Sequence, residues 1–148
     1  MKTSNFRILP KKGFGDLHFG ISIEEVIDIA GQADDVEDLE DNDGEYNTLV
    51  MNYWKDEYNV FFEGEEKSLL TCIESSNRNA ILFDNKVFEL GEKELIDLME
   101  YHGFELTDTE EEIWGEKRLS FENALMDFYY ENGKLVTINW GVNRNDVK

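Results

Sequence analysis

A chain of 148 residues suffices for one ordinary domain or two very small ones. With 41% hydrophobic and 13% aromatic residues it has too much apolar mass to be disordered, despite 34 acidic residues against 14 basic ones. The formal net charge of −20 repels nucleic acid and membrane phosphates and attracts cationic surfaces.

The opening MKTSNFRILPKKGFG has no apolar signal core, and no run of about 18 apolar residues follows, which predicts a cytoplasmic protein that spans no membrane. The single Cys72 excludes an intrachain disulfide and fits a reducing compartment. A short strand or hairpin is expected around Phe6–Leu9 and Leu17–Phe19. Ser22 with Glu25 three residues on is a capping-box pattern that starts a helix. Ile23, Val26, Ile27 and Ala30 give it one apolar face, and Gly31 stops it. From Asp34 to Glu45 there are then eight carboxylates in twelve positions and no basic residue, which reads as a solvated loop. A calcium-loop alignment of Asp41-Asn42-Asp43-Gly44 fails. With Gly44 at loop position six, Leu39 and Val50 fall where oxygen donors are needed.

Alternating apolar residues predict strands over Thr48–Trp54, Glu57–Glu63 and Ser68–Ser75. A second helix follows over Glu92–His102, with Leu95, Ile96, Leu98 and Met99 as its stripe and Gly103 as its stop. Another acidic stretch, TDTEEEIWGE (107–116), leads to strands over Lys117–Glu122, Leu125–Glu131 and Lys134–Gly141. Asn132-Gly133 supplies a hairpin turn between the last two, because both residues tolerate positive φ.

The order of elements is the same twice. VMNYWKDEYNVFFE (50–63) lies over RLSFENALMDFYYE (118–131) at an offset of 68, and EEVIDI (24–29) over KELIDL (93–98) at 69. LLTC (69–72) lies over LVTI (135–138) at 66. The pattern predicts an α+β chain of two tandem repeats, 1–78 and 79–148. Each is a helix followed by an antiparallel meander, with both helices on one face of the sheet and the two acidic loops at one end.

Comparing the two copies sorts the strand faces. Met51, Tyr53, Tyr58, Val60, Phe62, Leu70 and Cys72 match apolar residues of the second unit and are expected in the core. Trp54, Phe61, Ile73, Tyr129 and Leu135 are expected on the helix-free face, among Asn59, Thr71, Asp127, Thr137 and Asn139. Aromatic residues amid small polar ones suit a protein-binding face.

Catalytic chemistry is not indicated. His18 and His102 stand apart, Cys72 reads as core filler, and CxxC, HExxH, GxSxG and glycine-rich phosphate motifs are absent from the sequence. No catalytic residue, metal ligand or cofactor is therefore assigned.

FGISIEEVIDIAG (19–31), with its glycine, short polar cap and helix, and the meanders that follow resemble the β-lactamase inhibitory protein fold and its small outer-membrane-lipoprotein relatives. Size, charge and the missing catalytic motifs are also similar in style to immunity proteins of bacterial polymorphic toxin systems. What the resemblance implies is a non-enzymatic inhibitor that neutralises a basic toxin domain, such as a nuclease. The candidate partner-binding residues are Asp34, Asp35, Glu37, Asp38, Glu40, Asp41, Asp43, Trp54, Phe61, Asp127 and Tyr129. The alternative is a ligand-binding or homodimeric assembly module that uses the same face.

Overall fold

In a computed structural model of the chain, residues 6–40, 47–63 and 69–143 are described. Helix α1 spans Ile23–Ala30 and α2 spans Glu92–Tyr101. The Ser22 hydroxyl accepts the Glu25 N–H at 3.2 Å while the Glu25 carboxylate accepts the Ser22 N–H at 3.1 Å, so the expected box starts α1. At α2 the N-cap is Gly91, whose N–H donates to Glu94 Oε1 at 3.0 Å. Val26 and Ala30 of α1, and Leu95 and Met99 of α2, are buried.

The strands form two sheets. β1 (Arg7–Leu9), β2 (Gly13–Phe14), β3 (Leu17–His18), β8 (Ile81–Leu82) and β9 (Asn85–Lys86) make a five-stranded mixed sheet in the order β3-β2-β1-β8-β9. The other eight are β4 (Asp35–Glu40), β5 (Asn47–Tyr53), β6 (Tyr58–Glu63), β7 (Leu69–Ser75), β10 (Asp108–Glu111), β11 (Glu116–Phe121), β12 (Met126–Glu131) and β13 (Lys134–Gly141). They form one antiparallel sheet in the order β10-β11-β12-β13-β7-β6-β5-β4. Two four-strand meanders thus meet along β7 and β13, where Ile138 faces Ser75 and Trp140 faces Ile73.

One hydrophobic cluster joins these parts. The large sheet contributes Met51, Val60, Phe62, Leu70 and Ile73 from one meander and Leu119, Phe128, Leu135, Ile138 and Trp140 from the other. Both helices and the small sheet's Ile8, Phe14, Leu17 and Leu82 enter the same cluster. Trp140 Nε1 donates to the Gly13 carbonyl at 2.9 Å, and its ring meets Phe14 edge-on with centroids 5.3 Å apart. The Tyr53 hydroxyl donates to Gly31 O at the end of α1 (2.8 Å), and Tyr130 donates to Leu90 O just before α2 (3.1 Å). Each meander is tied to its helix by one tyrosine.

Three expectations need correction. First, Asp35–Glu40 is not a loop but strand β4, paired along its whole length with β5, and Asp108–Glu111 is strand β10. Both are outer strands with one unpaired backbone edge, where charged residues are favoured because they discourage edge-to-edge aggregation. Second, the two acidic segments are not at one end. They occupy opposite edges of the large sheet, seven strand spacings of about 4.8 Å apart, or roughly 34 Å. The Glu111 end of β10 also lies at the end of the sheet opposite the Glu40–Asn47 pair, as the pairings show.

Third, the face assignment of the last strand of each meander shifts by one. Phe61 faces Cys72 but Phe62 faces Leu70, so Thr71 is an extra residue. Likewise Tyr129 faces Thr137 but Tyr130 faces Leu135, so Val136 is extra. A bulge reverses the side-chain alternation beyond it. Ile73 and Leu135 are therefore fully buried in the core, and Cys72 stands on the opposite face. Asp41, Asp43 and Ser68 lie outside the described residues.

Candidate interaction face

The face of the large sheet turned away from the helices is organised by strand register. One transverse row crosses all eight strands: Asp35, Asn52, Asn59, Glu74, Asn139, Asp127, Ser120 and Asp108 stand side by side. Every member is polar. On one side of this row, Glu37, Val50, Phe61 and Cys72 form the next row over the first meander. On the other side, Glu110, Arg118, Tyr129 and Thr137 do the same over the second. Phe61 and Tyr129 thus flank the polar row from opposite sides.

Hydrogen bonds hold much of the row in place. Asn52 Nδ2 donates to Asp35 at 3.1 Å and Glu37 at 3.0 Å, keeping two like charges within reach of one amide. Ser120 donates to Asp127 at 2.6 Å, and Arg118 Nη2 lies 2.7 Å from Asp108 and 3.4 Å from Glu110. At the second bulge Ser76 and Thr137 share a hydroxyl hydrogen bond of 3.0 Å. At the first, Thr71 donates to Glu63 at 2.5 Å. Preorganised groups of this kind lose little side-chain entropy on binding.

Cys72 reports the electrostatics at the centre. Burial pushes its thiol from an ordinary 9.0 up to about 12, Glu63, Glu74 and Asp127 add to the rise, and the hydrogen bond with Asn139 opposes it. Such a thiol stays protonated at neutral pH and is a poor nucleophile. Burial and Asp127 also raise the Tyr129 hydroxyl, with Arg118 opposing.

The sequence-derived candidates separate into groups. Asp34 serves the backbone, because its carboxylate accepts the Trp54 N–H at 2.9 Å and its own N–H donates to Asn52 O. Asp35 and Glu37 lie on the face beside Asn52, whereas Asp38 sits opposite Leu49 with core-side parity at the exposed edge. Glu40 pairs with Asn47 through its backbone. Phe61 is half-buried, Trp54 is 63% exposed in the β5–β6 turn, and Tyr129 is 39% exposed. Asp127 and Tyr129 are brought near one another but lie four strands from the row position of Asn52.

Comparison with protein-family models, curated proteins and solved structures finds no match. The face therefore stands on its own chemistry. Among the described residues no three His, Cys, Asp or Glu side chains group to hold a metal ion, and no helix is long and apolar enough to cross a membrane.

Residues the sequence did not single out complete the site. Glu63 and Glu74 surround Cys72, and Arg118 is set between two β10 carboxylates. Ile113 is fully exposed and Trp114 is 64% exposed in the turn between β10 and β11. The available signal was an adjacent pair of large apolar residues inside an acidic run, where neither helical nor strand periodicity calls for them. A depression of about 350 Å³ connects that turn to the sheet face; its lining includes Glu110, Glu112, Glu116, Arg118, Tyr129 and Glu131.

Proposed function

We propose that the chain is a non-enzymatic binding protein that neutralises a basic protein, an immunity or inhibitor protein acting on a cationic toxin domain. The observation that carries the proposal is the polar row across the large sheet. It holds Asp35, Glu74, Asp127 and Asp108, with the aromatic Phe61 and Tyr129 beside it. Carboxylates in high local density steer a cationic partner to the surface and raise its on-rate, while aromatic side chains supply desolvated contact. A self-complementary dimer through this face would oppose carboxylate to carboxylate at a net charge of −20, which disfavours the assembly-module alternative.

In this proposal the two helix-plus-meander units are tandem repeats of an inhibitory-protein-like fold, acting in the cytoplasm. Repetition would supply what neither unit has alone, a surface eight strands wide. The test is co-expression of the tagged chain with the product of the adjacent upstream gene, followed by purification and salt titration. A stoichiometric complex with a basic protein, weakening as salt rises, supports the proposal. A neighbour without a basic domain, together with no complex, overturns it.

A further inference from the structure

The β10–β11 turn displays Ile113 and Trp114 to solvent, although most of the large apolar residues described are buried. This turn is a built feature. Glu112 N–H donates to Glu116 O at 2.7 Å, Gly115 N–H to Glu112 O at 3.1 Å, and Asn132 N–H to Gly115 O at 2.9 Å. The last bond fastens the turn to the neighbouring β12–β13 hairpin. Gly115 has φ +100°, a conformation that L side chains rarely adopt, so the turn favours glycine there.

Burial within the chain does not account for the apolar pair, and its surroundings say what would cover it. Glu110, Glu111, Glu112 and Glu116 flank it in sequence, and Glu131 lies across the adjacent depression. Lys117 is engaged by Glu92 at 2.8 Å and Arg118 by Asp108 and Glu110, and Lys134 of the adjacent hairpin stands in register with Glu131 and Glu116, so carboxylates outnumber cations around the turn. Two large apolar side chains flanked by carboxylates match an apolar socket rimmed by lysine and arginine.

From this geometry we infer that the Ile113–Trp114 turn is the anchor of the interface, inserting into an apolar, basic-rimmed socket on the partner protein. The depression beside Tyr129 makes this anchor continuous with the sheet face. The inference rests on the cationic-partner reading and adds to it a definite attachment point. It also predicts how the binding energy is distributed, with steering by the sheet carboxylates and residence time set by the turn.

The probe is the purified basic product of the adjacent upstream gene, with a lysine–tyrosine random copolymer as a polycation lacking a socket. The variant Ile113→Ser/Trp114→Ser is compared with wild type by titration calorimetry, with Tyr101→Ser, an exposed aromatic on α2, as control. Both exposed changes leave the melting temperature unchanged, which separates lost contact from lost folding. The expected result is a dissociation constant about thirtyfold higher for the double variant with the basic protein, a hot-spot loss. Tyr101→Ser is unaffected, and copolymer binding is equal for all three. A basic protein that binds the double variant as tightly as wild type overturns the anchor while leaving the cationic-partner reading intact. Absence of any basic partner overturns both. Self-association of the wild type that is abolished in the double variant, read by light scattering, also overturns the anchor by making a second copy the occupant.

Discussion

Cys72 provides the sharpest local test of how the helix-free face is built. Its sequence position, alternating with Leu70, suggests a core residue, whereas the bulge at Thr71 turns it to the opposite face, where burial chiefly, with Glu63, Glu74 and Asp127 in addition, raises its pKa. The perturbation is addition of an aromatic disulfide reagent at pH 8 to the native protein and to the same protein in urea. With the thiol moved from 9.0 to about 12, the thiolate fraction falls from about one in ten to about one in ten thousand, a thousandfold drop. A more basic thiolate is intrinsically more reactive, with a Brønsted slope of about 0.4–0.5, which restores roughly twentyfold over that shift. The net expectation is modification about fiftyfold slower in the native protein, before any steric hindrance. The sign of the linkage follows from the neutral form being the protonated one. A raised folded pKa contributes stability in full below about 9, and that contribution is lost as pH rises toward 12. A native thiol reacting as fast as the unfolded one, or titrating below 9, would refute the placement of Cys72 in a buried acidic setting.

Trp140→Phe removes the donor to Gly13 O and leaves part of the indole volume empty. An unsatisfied buried carbonyl and a small cavity together cost about 2–4 kcal/mol, read as a lower urea midpoint at constant slope. Gly141→Ala would drive a Cβ into Thr71 O and to 3.2 Å from Cys72 Cα on the seam between the meanders. Those are backbone atoms, so the seam must shift; a loss of about 1–3 kcal/mol in the same assay is expected, and an unchanged midpoint contradicts the β7–β13 register. Tyr53, Tyr58 and Tyr130 all have hydroxyl pKa values raised chiefly by burial, so stability should fall as pH climbs above 10, followed by circular dichroism. A flat stability profile to pH 12 would contradict their burial.

The elements visible in the sequence are those encoded by local rules. The Ser22–Glu25 box, the Gly31 and Gly103 stops and the helical stripes each act within one or two turns. The Asn132-Gly133 turn adopts positive φ at both residues, 50° and 84°, as its composition demands. By contrast, β4 and β10 owe their strand state to pairing with β5 and β11, not to their own acidic residues, so propensity missed them. The bulges were hidden because Leu-Leu-Thr-Cys-Ile and Leu-Val-Thr-Ile fit either alternation; only pairing with β6 and β12 reveals the extra residue. In the small sheet the strands at Arg7–Leu9 and Leu17–His18 were expected, but Gly13–Phe14, Ile81–Leu82 and Asn85–Lys86, of two residues each, are too short to carry a period. At the site, Asp35, Glu37, Asp127 and Tyr129 were legible as charge and aromatic content. The row that unites them, and the exposure of Ile113 and Trp114, depend on register.

The central claim is that the sheet face receives a cationic protein. The most direct measurement is the affinity for the basic upstream-gene product, by calorimetry over a salt series, of wild type and of Glu74→Gln/Asp127→Asn. These neutral near-isosteres remove charge from the middle of the polar row. The account predicts wild-type affinity that falls steeply with salt, a variant at least about tenfold weaker at low salt, and convergence of the two at high salt where charge is screened. Equal affinities with no salt dependence, or no binding to a basic protein at all, would contradict it.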